Sequence, residues 1–597
     1  MKHMYRLSII MLASLLAASC ADSWKDKVNT DWEEKYVWNI SEMSSGVLYR
    51  AYNEIPTFPD TYGNNFLDVA TDNAATNQYG SSAYFLSQGG MSATNNPLAV
   101  WAAGFRNIQY INSFLENGLG AGVRYNKVDA AVDAAYKKQF YGEAMFLRAY
   151  WQFRMLQVYG GKSTDGTALG YPILTKFITQ EEASDFSKIK RDSYEDCVAQ
   201  IFADCDSAAA NLPAAYVGEN VVIGSSVIGK PTSVAAACLK AITALYAASP
   251  AYQDDSVVKL NAMGDYTVVD AAAYNAKWVT AATLANAAIN MAGFGGTDFY
   301  SLKNTDLADA PTATPAEFIF RFYANNRAME SRHFPPYYYG KANTVPSQNL
   351  VDAYPAGNGY PITDIRSGYD PNHPYDSRDM RLYRTVYYDG SVFGNSGKPM
   401  NMMPGGKDSF SYNENASQTS YYLAKFLSVK SAMLTPAQMS NSIHYIPIIR
   451  RAYIFLAFAE ASNEAWGPTV KGPGCAFSAY DIIKSVREKS GGITDTGYLD
   501  EVAAAGTDAF AALIQNERRL EFAFENQRYF DMRRRLLPLN EDVRGMKMEI
   551  SDSGAIVYDP TFVVSRRPMN ELRYYYAPIP YDECAKNPNM VNNMGWK

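Results

Sequence analysis

Helical periodicity constrains the fold of this chain more than any other feature of its sequence. Within residues 98–117, apolar side chains recur every three or four positions, at Trp101, Phe105, Ile108, Ile111 and Leu115. This spacing places all five side chains on one face of an α-helix. Residues 129–159 contain no proline and end at two glycines, as helices often do. Helices of this kind need neighbours that cover their apolar faces.

Further segments extend the helical pattern toward both ends of the chain. They cover residues 192–210, 232–248, 270–292, 447–465, 476–489 and 507–536. Two of them, 232–248 and 270–292, are rich in alanine, whose small side chain lets helix axes approach closely. We therefore predict a mainly α-helical protein in which consecutive helices stack side by side as hairpins.

The character of the sequence changes between residues 293 and 446. Glycine, proline, asparagine and tyrosine cluster there, and helical periodicity fades. Residues 317–322 are rich in aromatic and β-branched side chains, which favours one of a few short strands. A long irregular region is usually functional. We predict one globular unit over residues 20–597, with helical parts at 20–292 and 447–597 and a loop-rich insertion at 293–446.

Tyrosine is abundant, with 45 copies among 597 residues, although only 19% of the residues are charged. A tyrosine ring has flat apolar faces and a polar tip, so it tolerates both cores and half-exposed positions. The tyrosines of the loop-rich insertion lack the helical pattern that would bury them. We expect these loop rings, rather than those of the helices, to bear on function.

The N-terminus is typical of an exported protein. Lys2 and Arg6 precede an apolar run over residues 7–16, and small residues then lead to Cys20. This arrangement predicts a secretory signal over residues 1–19, too short to span a bilayer. The ending resembles a bacterial lipobox, although Leu16 lies one place further from the cysteine than usual. We predict that Cys20 is lipidated and tethers the chain to a membrane.

Composition excludes several functional classes. The formal net charge is −7, without a concentration of basic residues, which argues against a nucleic-acid partner. No histidines share a zinc-ligand spacing. Besides Cys20, five cysteines follow the signal: Cys197, Cys205, Cys238, Cys475 and Cys584. Their odd number and the lack of a CxxC pair predict buried small residues rather than disulfides or a metal site, and we expect no metal and no cofactor.

Two charged motifs have structural interpretations. Residues 224–230 fit the phosphate-loop pattern GxxxxGK, but Pro231 follows where that loop needs a hydroxyl and a free N–H, so we predict no nucleotide site. Glu517, Glu521 and Glu525 recur every four residues among arginines that can pair with them, which favours a structural ion-pair network that clamps this helix onto its neighbours. An anion site built by those arginines is the alternative.

Residues 516–534 resemble the signature of the SusD/RagB family, surface lipoproteins of nutrient-uptake systems in Bacteroidetes. Other segments are similar to family motifs in the expected order: residues 101–112, 114–117, 142–150, 159–161, 346–355, 375–382, 447–453, 459–461, 463–464, 578–580, 587–590 and 595–596. One departure is Met380, which stands where the family commonly has proline.

The resemblance implies four tetratricopeptide-like helix pairs that support a variable, loop-rich ligand-binding face. It also implies an outer-membrane location facing the cell exterior, and delivery of ligand to a SusC-like TonB-dependent porin. The ligand of such proteins is usually a glycan and sometimes a peptide, and no catalysis is implied. A further alternative is a surface glycoside hydrolase that uses an unrecognised carboxylate pair. No catalytic motif in the sequence supports this alternative.

Two loops combine aromatic rings with hydrogen-bonding side chains, as glycan recognition requires. The first loop contains Asp72, Asn73, Asn77, Tyr79 and Tyr84. The second contains Tyr337, Tyr338 and Tyr339, with Arg366 and Tyr369 not far beyond. We predict that these ten residues supply the ligand-binding site.

Overall fold

A computed structural model describes residues 34–183, 189–296, 298–299, 302–310 and 315–596. The predicted signal and Cys20 lie outside the described residues. The helices are α1 Glu34–Asn39, α2 Ser41–Asn53, α3 Ser82–Ser87, α4 Trp101–Asn117, α5 Ala130–Tyr159, α6 Gln180–Ala183, α7 Tyr194–Asn211, α8 Ser233–Ala248, α9 Ala271–Ile289, α10 Asn304–Leu307, α11 Ala328–His333, α12 Gln348–Ala353, α13 Met380–Thr385, α14 Arg451–Trp466, α15 Ala479–Lys489, α16 Gly497–Ala504, α17 Thr507–Glu521, α18 Arg528–Arg534 and α19 Tyr581–Lys586.

The strands are short and pair two by two, always antiparallel. They are β1 Ala74–Thr76, β2 Gly161–Lys162, β3 Ala168–Leu169, β4 Val258–Ala262, β5 Asp265–Val268, β6 Phe318–Asn326, β7 Thr344–Pro346, β8 Val386–Tyr387, β9 Tyr422–Leu423, β10 Ser442–Arg450, β11 Val543–Ile550 and β12 Ile556–Ser565. Two pairings join distant parts of the chain, β1 with β7 and β6 with β10. The mainly helical fold with few short strands is confirmed.

The long helices pack in chain order, each against the next. Helix α2 contacts α4, and the series continues through α5, α7, α8, α9, α14 and α15. These eight helices form four successive pairs, and the last pair follows the loop-rich insertion in sequence but continues the array in space. Among the described residues, no helix is both long and apolar enough to cross a membrane.

Side-chain caps explain where these helices begin. Asp129 accepts hydrogen bonds from the first turn of α5, and Thr232 and Asp270 do the same for α8 and α9. Such caps satisfy backbone N–H groups that have no partner within the helix. Helix α5 ends at Gly160, where a Cβ atom would lie 2.5 Å from the Leu156 carbonyl oxygen. The glycine there permits close packing rather than a left-handed turn.

Two predicted helices differ from the structure. Residues 447–450 belong to strand β10, which pairs with β6, so helix α14 begins only at Arg451. The predicted helix 507–536 is broken between α17 and α18, because Phe524 and Asn526 adopt positive φ angles of 63° and 59°. Apolar spacing alone predicted continuity, but the break turns Glu525 toward the loop-rich insertion.

The loop-rich insertion has an apolar core of its own. Phe66, Leu350, Phe426, Phe524 and Met548 belong to this core, which joins the insertion to segments from both ends of the chain. Several tyrosines of the insertion are buried: Tyr354, Tyr375, Tyr421, Tyr422 and Tyr445. The expectation that loop tyrosines remain unburied is therefore wrong for these five.

Buried charges between residues 517 and 534 connect the insertion to the helices, which confirms the ion-pair interpretation. Glu517 lies 2.7 Å from the Arg381 guanidinium and 2.9 Å from that of Arg487. Arg450, on strand β10, contacts Glu317, Glu521 and Glu525 at 2.8–3.0 Å. Lys425 of the insertion contacts Glu525 at 2.7 Å.

Glu460 on helix α14 lies in a neighbouring cluster of buried charges, where several arginines surround its carboxylate. Both of its oxygens accept hydrogen bonds from Arg534 at 2.6 Å, and Arg518 lies 3.5 Å away. Burial alone would raise the pKa of Glu460, but the field and hydrogen bonds of Arg534, together with Arg518, lower it to about 2. The carboxylate therefore stays ionised in the interior.

We predict that Glu460→Gln lowers the free energy of unfolding by about 3–5 kcal/mol, because it leaves Arg534 buried without its main counter-charge. The pKa of Glu460 is depressed in the folded state, so its ionic contribution is fully present above its ordinary pKa of 4.5. That contribution is lost as the pH falls toward 2. Urea unfolding at several pH values should show the wild-type advantage shrinking below about pH 4.5.

Glu549→Gln provides a matched control. Glu549 lies 2.6 Å from Lys547, but both side chains are at least half-exposed. An exposed pair contributes only about 0–1 kcal/mol, so this variant should unfold almost as the wild type does. Equal losses in the two variants would contradict the assignment of stability to the buried pairs.

Candidate functional site

Three loops meet at one end of the short β1–β7 sheet. Thr76 pairs with Thr344, so residues 77–84 leave the sheet beside residues 337–341. Asn77 donates hydrogen bonds to the carbonyl oxygens of Lys341 at 3.3 Å and Asn415 at 2.8 Å. The third loop, residues 405–418, is thereby joined to the other two. The structure thus brings the Tyr79 and Tyr337–Tyr339 segments together, although they are far apart in sequence.

Each of the three loops carries aromatic rings that solvent can reach. The exposed fractions are 58% for Tyr79, 49% for Tyr337, 60% for Tyr339, 46% for Phe410 and 64% for Tyr412. We call these five rings the aromatic face. Exposed apolar side chains that lie together, rather than scattered singly, are typical of a binding surface.

Hydrogen bonds and ring contacts hold parts of the aromatic face in place. Gln418 donates to the Tyr79 hydroxyl, and the Tyr79 and Tyr84 rings meet edge to face at 5.2 Å. The Lys407 ammonium lies 4.6 Å from the centroid of the Tyr337 ring, a cation–π contact. Rings fixed in this way lose little freedom when a ligand binds.

A tight turn presents the rings of the second loop. Tyr339 adopts a left-handed conformation with φ of 66°. A Cβ atom at Gly340 would lie 2.1 Å from the Phe334 carbonyl oxygen, so only glycine fits there. Tyr338 differs from its neighbours, because its ring stacks on Phe393 at 4.1 Å. Tyr338 therefore anchors the turn, while Tyr337 and Tyr339 face outward.

A polar cleft of about 170 Å³ lies beside Tyr79 and Tyr84. Gln88, Gln418 and the exposed Arg566 also line it. Two amides and a guanidinium offer several donors, and the amides also offer acceptors, next to two aromatic rings. The cleft can therefore accept a ligand that is apolar on its faces and polar at its edges.

Asp72 and Asn73 lie apart from this surface, in the interior. Asp72 pairs with Arg519 at 3.0 Å and with Arg528 at 2.9 Å. Although burial opposes it, these guanidiniums hold the pKa of Asp72 below its ordinary value. Asn73 donates to Asp68 and accepts from Arg519. The two side chains secure strand β1 and are not available to a ligand in this conformation.

Arg366 and Tyr369 are held by other contacts. Arg366 pairs with Asp364 at 2.6 Å and with Glu501 at 2.7 Å. The half-buried Tyr369 ring lies 5.4 Å from the Arg378 guanidinium. No described contact joins either residue to the aromatic face, so their part in ligand binding remains a prediction without geometric support.

Sequence reasoning missed the third loop. Lys407, Phe410, Tyr412 and Gln418 escaped notice because no local motif surrounds them, and Gln88 and Arg566 because they flank regular elements. Aromatic residues within a glycine- and asparagine-rich stretch were the one available signal. These side chains belong to the site because the loops contact one another in the fold, and a single sequence does not show such contacts.

The other sequence features that could indicate a chemical site have structural roles. Lys230 of the phosphate-loop pattern contacts the buried Glu143 at 2.8 Å. Cys197, Cys205 and Cys238 are buried free thiols, whereas Cys475 and Cys584 are half-buried, which corrects the prediction for those two. Within the described ranges, no three His, Cys, Asp or Glu side chains come together as metal ligands would.

The sequence matches two family models. The model of the SusD family matches residues 316–596. A second model, described as starch-binding associating with outer membrane, matches residues 24–245. Together the two matches account for well over half of the chain. No curated protein matches it.

Solved structures share the fold. A SusD-like protein from Bacteroides fragilis is 21% identical with a TM-score of 0.67, and the match covers 96% of this chain and all of that one. A SusD-like carbohydrate binding protein from the same species is 20% identical, with a TM-score of 0.64 and coverage of 93% and 99%. A laminarin binding SusD-like protein is 17% identical, with a TM-score of 0.56 and coverage of 93% and 99%. At such identities the likeness concerns the fold alone.

We predict that Tyr79→Ala and Tyr337→Ala leave the melting temperature nearly unchanged, because both rings are about half-exposed and bury little apolar area. Tyr338→Ala, in the same loop, should cost on the order of 2 kcal/mol, because it removes the ring that stacks on Phe393. Thermal unfolding followed by circular dichroism compares the three variants. A clear drop for Tyr79→Ala or Tyr337→Ala would mean that those rings support the fold.

Proposed function

The chain belongs to the SusD family, and we propose that it is a non-catalytic binding protein that captures oligosaccharide or polysaccharide at the cell surface. The observation that carries this proposal is the aromatic face. Five exposed rings from three loops, with a polar cleft beside Tyr79, offer the apolar faces and the hydrogen-bonding groups that a sugar needs.

The chemistry of a pyranose fits this arrangement. Its axial C–H bonds form apolar patches that pack on aromatic rings, and its hydroxyl groups project from the edge. Tyr79 and Tyr337 supply faces, while Gln88, Gln418 and Arg566 supply hydrogen-bonding groups nearby. Because the rings come from separate loops, they suit an extended chain of several sugar units better than one monosaccharide.

We further propose that lipid on Cys20 anchors the protein to the outer membrane and that it delivers its ligand to a SusC-like TonB-dependent transporter. The N-terminal pattern and the family description that mentions the outer membrane support this location. A tethered binding protein raises the local concentration of glycan at the mouth of its transporter.

Titration calorimetry of the purified protein against a panel of glycans tests the proposal. We expect at least one oligosaccharide to bind, and Tyr79→Ala and Tyr337→Ala each to weaken binding by about three- to tenfold, as the loss of one ring contact implies. Tyr266→Ala serves as a control outside the aromatic face, since Tyr266 lies on strand β5. Its affinity should equal that of the wild type.

Three outcomes would change the proposal. Reducing ends released from a bound glycan at an enzymatic rate would favour the surface hydrolase and contradict a binding role. If no glycan binds but peptides do, and if peptide binding depends on the same tyrosines, the protein is a peptide-binding uptake protein. If a glycan binds both tyrosine variants with the affinity of the wild type, the binding site lies elsewhere.

A further inference from the structure

A second cleft lies among the helices and shares no lining residue with the aromatic face. Its volume is about 160 Å³, and helices α5 and α8, strand β10 and the segment 56–62 surround it. Its aromatic walls include Phe58, Tyr62, Tyr150, Phe153, Tyr246 and Phe530. Nothing in the oligosaccharide proposal uses this cleft.

The cleft contains a cation without a counter-charge. Arg154 of helix α5 lines it, and one of its N–H groups donates to the amide oxygen of Gln157. Among the described residues, no carboxylate lies within ion-pair distance of Arg154. A guanidinium carries five N–H donors and stays charged, so Arg154 retains both charge and donors for a ligand.

The other charged residues of the lining are compensated. Arg518 lies 3.0 Å from Asp531, and Glu525 lies 2.8 Å from Arg450. Burial opposes ionisation of Glu525, but Arg450 and Lys425 lower its pKa to about 2. The uncompensated charge of the lining is therefore that of Arg154, and the cleft favours an anion.

A buried hydroxyl adds a second donor. The Tyr246 side chain is 3% exposed, and its oxygen accepts a hydrogen bond from the Gln157 amide at 2.7 Å. No acceptor for the Tyr246 proton is present in the described part of the chain. Gln157 thus holds both Arg154 and Tyr246 through its side-chain amide. A ligand oxygen in the cleft that accepts hydrogen bonds from both would give the remaining donors of Arg154 and the Tyr246 hydroxyl a partner.

We propose that this cleft binds a single six-membered ring that carries one carboxylate, with the carboxylate on Arg154 and Tyr246 and the ring between the aromatic walls. A cavity of about 150 Å³ is large enough to hold benzene, so a cleft of about 160 Å³ accommodates one six-membered ring. Aromatic acids and sugar acids both have this chemistry.

Titration calorimetry with benzoate, glucuronate and their neutral counterparts benzamide and glucose tests the proposal on the wild-type protein. At least one carboxylate should bind about tenfold or more tightly than its neutral counterpart, as a charge-assisted hydrogen bond implies. Benzoate alone would identify an aromatic acid, and glucuronate alone a sugar acid. Binding of neither acid, or equal binding of acid and neutral counterpart, would overturn the proposal.

Variants locate the site. Arg154→Gln should abolish the preference for the carboxylate, whereas Arg50→Gln, which removes an exposed cation on helix α2, should leave it unchanged. Equal affinity of the wild type and Arg154→Gln would refute the assignment. If Arg154→Gln fails to fold, the comparison of each acid with its neutral counterpart on the wild-type protein still tests the proposal. Tyr79→Ala should keep carboxylate binding, so failure here and failure of the oligosaccharide proposal are distinguishable.

Discussion

The buried ion pairs between residues 517 and 534 are the interaction on which the rest of the structure depends. Arg381 and Lys425 reach them from the loop-rich insertion, and Arg450 and Arg487 reach them from the helical part. Removing one partner of such a network leaves an uncompensated charge, which is far costlier than the loss of an exposed pair. The network therefore dictates how the insertion sits on the helices.

The same network positions the aromatic face. Arg519 and Arg528 hold Asp72, which precedes strand β1, and β1 pairs with β7. Residues 77–84 and 337–341 leave those two strands at the same end, so their rings converge. The supporting strands are fixed by charges and by the core beneath them, so the loops that bind the ligand start from a rigid base.

Local patterns predicted the helices well and the site only in part. Apolar spacing predicts Trp101–Asn117 to within three residues, and the cap Asp129 and the glycines after Tyr159 mark both ends of Ala130–Tyr159, because those signals act within a few positions. The burial of Tyr421 and the exposure of Tyr412, nine residues earlier, depend on which distant segments cover them. Asp72 looked like a loop residue because its partners Arg519 and Arg528 lie near the other end of the chain.

Amide hydrogen exchange with and without bound oligosaccharide tests the central claim most directly, namely that ligand binds on loops which a rigid helical scaffold supports. The account predicts slower exchange in residues 77–84, 337–341 and 405–418, and unchanged exchange in helices α4, α5, α7 and α8. Protection confined to those helices, with the three loops unaffected at saturating ligand, would contradict it.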